Sequence, residues 1–250
     1  IHAFAPRKSE TVVEIGPGRG SLTTSLLERA GHVIAIEFDR HLIPFLRERF
    51  STAKNFTLIE TDALNVDYCR LAAESGTVRV IANLPYNIST AILQRLIQHR
   101  ACITEMVLML QAEVAERITA PAGSQNRGFL TVLVEACYRA EKLFDVAPEA
   151  FHPVPKVWSS VVRLQSRPTR IAGEVDEEFL WSLVSIGFRQ RRKTILNNLR
   201  HASGSQQKLT FSTTEIESAL MTTRIEKSRR AETLTFEEWV RLAKVIADQK

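Results

Sequence analysis

The segment VVEIGPGRGS, residues 12–21, decides the fold. Thr11–Ile15 is a short β-branched apolar run typical of a buried strand, and it leads directly into a turn with glycines at positions 16, 18 and 20. Glycines allow a tight backbone turn and leave room for a ligand, and the helix expected from Leu22 offers its free N–H groups to that ligand. The segment therefore predicts the first strand–turn–helix unit of an α/β domain.

The same alternation continues through the first two thirds of the chain. Short apolar β-rich runs separated by helical patterns are typical of a parallel sheet built from β–α–β units. The predicted strands are Thr11–Ile15, Val33–Ile36, Thr57–Ile59, Val78–Ala82 and Met106–Leu110, and the predicted helices are Leu22–Arg29, Leu42–Phe50, Ala91–Gln98 and Val114–Ile118. Two β-like stretches, around Tyr138–Phe144 and Ser160–Leu164, predict an antiparallel pair at the sheet edge. Seven strands ending in this way resemble the class I methyltransferase version of the doubly wound, Rossmann-like fold.

A second, smaller domain is expected after a break rich in turn formers between Ser166 and Gly173. Beyond the break the chain shows helical patterns only. Apolar residues share one face at 179, 183 and 186, and again at 239, 242, 243 and 246, and Thr235 with Glu238 forms a capping-box pattern. We therefore expect an α/β domain at residues 1–167 and a basic helical domain at 174–250.

Composition narrows the protein class. The chain has 250 residues, of which 44% are hydrophobic, and it contains no run approaching the roughly 18 apolar residues of a membrane span. The first ten residues lack the pattern of a secretion signal, so we expect a soluble cytoplasmic protein. Three widely spaced cysteines, Cys69, Cys102 and Cys137, favour small buried thiols over a disulfide framework or zinc site, and no metal is expected. We expect a monomer, since no long exposed heptad pattern is visible.

Positive charge is concentrated in one segment. The net charge is +5, whereas residues 187–230 contain ten Lys and Arg against three Glu, or +7, which leaves −2 for the rest. Arg189, Arg191, Arg192 and Lys193 crowd what we expect to be a helix turn. Such a cluster suits neutralisation of nucleic-acid phosphates, although a solvated helical face would have the same composition.

Acidic residues are expected at three successive strand ends. Glu37 ends the second strand and can accept the two hydroxyls of a ribose. Asp62 follows the third strand and can accept from an adenine amino group, although a helix N-cap is an alternative role. Glu14 aims a further carboxylate at the glycine turn, which suits a ligand with an ammonium and a sulfonium group better than a pyrophosphate. Ser21 also departs from the G-x-G-x-x-G/A fingerprint, so S-adenosylmethionine is favoured over NAD.

The sequence NLPY follows the fourth predicted strand. The Asn83 side-chain carbonyl and the Leu84 backbone carbonyl can accept from the two N–H groups of an exocyclic amine, and Pro85 fixes the turn without offering an N–H donor. Tyr86 offers a flat face for a base drawn out of its stack. A proline-containing strand exit with a packed tyrosine is the structural alternative.

These motifs resemble those of the rRNA adenine N6,N6-dimethyltransferases. The segments EIGPGRGSLT, IEFDRHL, TDAL and NLPYNIS occur in the family's order and spacing, and LQAEVAERITA, FHPVPKVWSSVVRL, FRQRRKTILNNL and RRAETLTFEEW extend the match almost to the C-terminus. The resemblance implies dimethylation of rRNA adenosines with S-adenosylmethionine as the methyl donor.

The resemblance also implies roles for single residues. Gly16 and Gly18 would form the cofactor turn, with Glu37 at the ribose and Asp62 at the adenine. Glu14, Ala63 and Asn83 are also expected to contact the cofactor. Asn83, Leu84, Pro85 and Tyr86 would hold the target amine. Phe151 would cover the base opposite the tyrosine, whereas a buried loop anchor is its structural alternative.

The family contains two substrate classes. One group modifies two adjacent adenosines near the 3′ end of small-subunit (16S) rRNA during ribosome biogenesis, and the other modifies a large-subunit (23S) adenosine and confers macrolide resistance. The segment FRQRRKTILNNL resembles the first group, so we expect the small ribosomal subunit as partner. A non-catalytic ribosome-assembly factor, a DNA adenine methyltransferase and a dehydrogenase are the alternatives. Arg127 stands where the family often has an aromatic residue, and no role is predicted for it.

Overall fold

A computed structural model describes residues 1–167, 175–200 and 212–249. Its strands form one seven-stranded sheet in the order β3-β2-β1-β4-β5-β7-β6. The strands are β1 (Thr11–Ile15), β2 (His32–Glu37), β3 (Phe56–Glu60), β4 (Val78–Asn83), β5 (Ile103–Gln111), β6 (Tyr138–Val146) and β7 (Ser159–Ser166). The described helices are α1 (Ser21–Arg29), α2 (Leu42–Arg49), α3 (Tyr68–Leu71), α4 (Ser89–Gln98), α5 (Ala112–Ile118), α6 (Phe129–Cys137), α7 (Glu177–Gly187), α8 (Ile195–Arg200), α9 (Thr213–Thr222) and α10 (Phe236–Asp248).

Strand direction places the functional edge of the sheet. β1 to β5 run parallel, and β7 runs antiparallel to both β5 and β6. Strand order reverses beside β1, which lies between β2 and β4. Ligands of such sheets bind outside the carboxyl ends of the strands at this switch point. The predicted doubly wound fold and its antiparallel edge pair are confirmed.

Two compact units divide the chain. The first comprises Ile1–Ala115 with Tyr138–Ser166, and the second comprises Glu116–Cys137 with Arg167–Lys250. The break predicted near residue 167 falls at one of these boundaries. The sequence did not predict that residues 116–137 group with the helical unit, which they do because α6 packs against α7 and α10.

Helix α6 was missed by the sequence patterns. Its sequence FLTVLVEAC is rich in apolar and β-branched residues, which are more typical of a strand. Six of its nine residues are buried. Burial on several faces therefore determines a helix that intrinsic propensity does not favour.

The helical unit has its own core, centred on Trp239. This indole is fully buried, and the predicted apolar face of α10 is buried with it. A Cβ added at Gly187, the last residue of α7, would clash with the Trp239 ring. The predicted capping box is confirmed, since Thr235 Oγ1 accepts from the Glu238 N–H at 3.2 Å and the Glu238 carboxylate accepts from the Thr235 N–H at 2.8 Å.

The cysteine prediction was wrong for two of the three residues. Cys69 in α3 and Cys102 before β5 form a disulfide with a Cα–Cα distance of 5.2 Å. The fold brings these two cysteines together although they are 33 positions apart in the sequence. The spacing of the cysteines along the chain did not indicate this pairing. Cys137 is the buried thiol that the sequence predicted.

None of the helices in the described part of the chain is long and apolar enough to cross a bilayer.

Candidate active site

The glycine turn joins β1 to α1 through left-handed backbone conformations. φ is 68° at Gly16, 60° at Gly18 and 79° at Gly20, a region that strains any residue with a Cβ. The Gly16 N–H donates to the Ile36 carbonyl of β2 at 3.0 Å, and a Cβ at Gly16 would lie 3.8 Å from the Asn83 carbonyl oxygen of β4. The turn is therefore held between the ends of the two strands that flank β1.

Glu37 links this turn to the end of β2. Its Oε1 accepts from the backbone N–H groups of Phe38 and Asp39 at 2.9 Å each, and its Oε2 accepts from the Gly18 N–H at 3.4 Å. These bonds fix a carboxylate beside the glycine turn, where the sequence placed a ribose-binding group. Its role toward a ribose stays a prediction.

A polar cavity of about 370 Å³ adjoins the ends of β2 and β3. Its lining residues are Phe38, Arg40, Ile43, Glu60, Thr61, Asp62 and Asn65. Asp62 Oδ1 accepts from the Leu64 N–H at 2.9 Å and so caps a short 3-10 helix, Ala63–Asn65, which confirms the N-cap alternative. Its role toward an adenine stays a prediction. Ala63 is buried, and its carbonyl accepts from the Tyr68 hydroxyl. The sequence analysis missed Phe38, a residue that is 71% exposed. An apolar residue directly after the acidic end of β2 was a usable signal.

Glu14 is buried beneath the turn, with 1% of its surface exposed. The Thr23 hydroxyl of α1 donates to its Oε2 at 2.6 Å. Burial raises the pKa of Glu14 from 4.5 to about 7, against the lowering effect of the Thr23 hydrogen bond, and the negative charge of Glu37 raises it further. The ionised carboxylate is therefore a poorly solvated charge for which a cationic ligand group would compensate.

A second cavity, of about 300 Å³, lies at the end of β4. Residues from two distant segments line it: Asn83, Leu84, Pro85 and Tyr86 from the end of β4, and Phe151, His152, Pro153 and Pro155 from the β6–β7 connection. The structure thus brings together all five residues that the sequence assigned to the target base. It adds His152, which the sequence did not single out.

Backbone and hydroxyl contacts hold this cavity in shape. Leu84 is buried and its N–H donates to the Met109 carbonyl at 3.2 Å, so the turn after β4 stays attached to β5. The Tyr86 hydroxyl shares a 2.6 Å hydrogen bond with Ser159 Oγ at the start of β7. The Ser159 hydroxyl, also missed by the sequence analysis, therefore fixes one end of the tyrosine ring.

Comparison with known proteins identifies the family. A protein-family sequence model described as ribosomal RNA adenine dimethylase matches residues 1–242. The chain belongs to this family. The resemblance seen in the sequence motifs is confirmed, and the dehydrogenase alternative is removed.

Curated relatives match most of this chain. It is 41% identical over 254 residues to a ribosomal RNA small subunit methyltransferase A from Chromohalobacter salexigens, covering 99% of this chain and 85% of the relative. The protein of the same name from Aromatoleum aromaticum is 46% identical over 200 residues, covering 80% and 74%.

Solved structures share the fold. A dimethyladenosine transferase from Plasmodium falciparum superposes with a TM-score of 0.79 at 28% identity, covering 97% of this chain and 91% of that one. The 23S rRNA methyltransferase ErmE has a TM-score of 0.72 at 24% identity, covering 98% and 94%, which shows the common fold.

The basic cluster of this family member does not lie in a helix turn, which corrects the prediction. Arg189, Arg191, Arg192 and Lys193 are exposed in the non-helical connection between α7 and α8, which we call the basic turn (residues 188–193). The side-chain amide of Asn198 in α8 anchors this turn. Its Nδ2 donates to the carbonyls of Gly187 at 2.8 Å and Gln190 at 3.2 Å, and its Oδ1 accepts from the Gln190 N–H at 3.2 Å. This amide satisfies backbone groups that a continuing helix would otherwise pair.

Arg127 acquires a structural role. It is 1% exposed, pairs with the Glu135 carboxylate at 2.6 Å and donates to the Ala120 carbonyl at 3.3 Å. These contacts fix the loop before α6. The Arg191 guanidinium donates to the Gln125 carbonyl in the same loop, so the basic turn and this loop are joined within the helical unit.

Proposed function

We propose that this protein dimethylates the N6 amino groups of two adjacent adenosines near the 3′ end of small-subunit (16S) rRNA, with S-adenosylmethionine as the methyl donor, during ribosome biogenesis. The observation that carries the proposal is the cavity in which the NLPY residues of β4 meet Phe151. Membership of the adenine dimethylase family and the names of the small-subunit relatives support it.

The strand-end residues fit S-adenosylmethionine. The 370 Å³ cavity has the exposed Phe38 ring as an apolar wall for an adenine and Asp62 as an acceptor for its amino group. Glu37 stands beside the glycine turn, where it can accept from ribose hydroxyls. The Glu14 carboxylate, whose charge burial disfavours, complements the cationic end of such a ligand. When bound, the cofactor supplies a methyl group on a positively charged sulfur.

The β4 cavity is suited to orienting an aromatic amine. Asn83 is exposed at the strand end, where its side-chain carbonyl can accept from one N–H of the adenine amine, and the Leu84 backbone carbonyl can accept from the other. Two acceptors held in this way turn the nitrogen lone pair out of conjugation with the ring. Pro85 contributes no competing N–H.

Two aromatic rings would hold the base itself. Tyr86 is fixed through Ser159, and Phe151 lies on the opposite segment lining the same cavity. Stacking between them compensates a base for the neighbours that it loses on leaving its strand. Because the methyl group is already activated, alignment of the amine contributes most of the rate and no strong general base is required.

The proposed partner is the small ribosomal subunit, and the exposed cations of the basic turn would neutralise its rRNA phosphates. The small-subunit names of the relatives favour this substrate over the large subunit, since the likeness to ErmE extends to the fold alone. We propose that the protein acts as a monomer, that it uses no metal ion and that it does not bind a membrane.

The test is transfer of radiolabelled methyl groups from S-adenosylmethionine to under-methylated small subunits, with large subunits as the comparison. We expect N6,N6-dimethyladenosine in small-subunit rRNA, and loss of label with Asn83→Ala. Asn87→Ala is the matched control, because this exposed amide lies four residues further on and does not line the cavity. Label in the large subunit would contradict the substrate, and particle binding by wild-type protein without label would favour an assembly factor.

A further inference from the structure

The β6–β7 connection exposes a group of large apolar side chains. Trp158 is 55% exposed, Val154 56% and Val157 43%. Tryptophan is a residue that proteins usually bury for most of its surface. A half-exposed indole within a short apolar segment therefore indicates a surface that contacts something else.

Trp158 lies at the same sheet edge as the target cavity. Its neighbour Ser159 pairs with Gln111 at the carboxyl end of β5, one strand from Asn83. The Trp158 carbonyl accepts from the Ala112 N–H at 2.9 Å, so the backbone that carries the indole is fixed. The indole is thus attached to a hydrogen-bonded backbone segment at the edge of the sheet where the target cavity lies.

The same connection also lines the target cavity. Phe151, Pro153 and Pro155 face that cavity, and Trp158 follows Pro155 by three residues. Lys156 stands between them and is exposed. A flat apolar ring with a neighbouring ammonium group matches a nucleotide, whose base stacks on the ring while its phosphate pairs with the cation.

We propose that Trp158, Val157 and Lys156 form a binding subsite for the nucleotide next to the target adenosine in single-stranded RNA; this inference rests on the proposed function. Drawing one base into the cavity removes a stacking partner from each of its neighbours. The indole replaces that lost partner, and Lys156 contacts the intervening phosphate. The subsite thereby lowers the free-energy cost of drawing the target adenine out of its strand. The indole can stack on the neighbouring base whichever base that is.

Steady-state methyl transfer to under-methylated small subunits tests the subsite. Trp158→Ala is expected to raise the KM for the subunits about tenfold, with the KM for S-adenosylmethionine unchanged. Trp158→Phe keeps a stacking ring and is expected to stay near the wild-type value. Met221→Ala is the matched control, because Met221 is a 78% exposed apolar residue in the helical unit.

Intrinsic fluorescence supplies a readout that a purely structural role would not change. A short single-stranded RNA containing the target adenosine should quench the emission of Trp158, and this quenching should be absent in Trp158→Phe. It should also fall sharply for the same RNA carrying abasic nucleotides beside the adenosine.

The two proposals fail in different ways. Methyl transfer by wild-type protein together with an unchanged KM in Trp158→Ala would overturn the subsite alone. A raised KM with no base-dependent quenching would also overturn it and would assign the surface to a ribosomal protein. Absence of methyl transfer by the wild-type protein would overturn the proposed function.

Discussion

Replacing Glu14 with glutamine is expected to stabilise the folded protein at pH 8 and to weaken its binding of S-adenosylmethionine. The two effects have one cause. Burial raises the pKa of the Glu14 carboxyl from 4.5 to about 7, so above pH 7 the protein holds a negative charge that lost hydration on folding. A neutral amide of similar shape removes that charge and can still accept from the Thr23 hydroxyl.

The magnitude follows from the change in pKa on folding. Above pH 7 the carboxyl is ionised in both the folded and the unfolded states, and the shift from 4.5 to about 7 costs the folded state about 3 kcal/mol. Below pH 4.5 the group is protonated in both states and this cost disappears. Glu14→Gln should therefore raise the free energy of unfolding by about 3 kcal/mol at pH 8 and by about 1 kcal/mol or less at pH 5.

Whereas Glu14→Gln should raise the stability of the folded protein, it should lower the affinity for S-adenosylmethionine. The wild-type affinity for S-adenosylmethionine should rise about tenfold between pH 6 and pH 8, as a carboxyl with a pKa of about 7 ionises beside the cationic ligand. The variant should lack this dependence and bind about tenfold more weakly at pH 8.

Urea denaturation without ligand and titration calorimetry with S-adenosylmethionine measure these two quantities at each pH. Glu28→Gln is the matched control, because Glu28 is an exposed carboxylate on α1. An equal stability of wild type and Glu14→Gln at pH 8 would refute the argument from burial. An unchanged, pH-dependent affinity in the variant would refute the role of Glu14 toward the ligand.

Three further substitutions test other parts of the structure. Asn198→Ala releases the basic turn and should raise the KM for small subunits several-fold while leaving the KM for S-adenosylmethionine unchanged; this effect should vanish when Arg191 and Arg192 are already neutralised. Ser159→Ala removes the partner of the target tyrosine and should lower kcat/KM several-fold, whereas Ser160→Ala, which breaks a hydrogen bond to Asp145 instead, should not. Gly187→Ala forces a methyl group into the indole of the helical core and should destabilise the protein by about 1–3 kcal/mol in urea denaturation.

Local patterns predicted the sheet well because its strands are short apolar runs bounded by turns. β1 was predicted at Thr11–Ile15, as observed, and the strand ends that carry Glu37 and Asn83 followed from the same pattern. Parallel strands bring their carboxyl ends to one edge. The sequence could therefore place these residues together without any knowledge of long-range contacts.

Several features that the sequence missed depend on packing or side-chain contacts that local sequence patterns do not encode. Helix α6 forms although its β-branched residues favour a strand, because tertiary packing buries it. Cys69 and Cys102 pair across the fold. Ser159 and Asn198 have ordinary local sequences, and only the structure shows that one fixes Tyr86 and the other the basic turn. Side-chain hydrogen bonds of this kind leave no periodic signal along the chain.

The distribution of charge gives the two ligands of the proposed reaction separate sites. Acidic groups, Glu14, Glu37 and Asp62, lie at the ends of successive strands, and burial makes the charge of Glu14 costly unless a cation is bound. The excess of +7 between residues 187 and 230 lies in another part of the chain, and its basic turn is exposed. A cationic methyl donor and a polyanionic RNA would compete poorly for each other's site, because each is repelled where the other is attracted. We therefore propose that charge selects the ligand for each site before shape and hydrogen bonding fix its orientation.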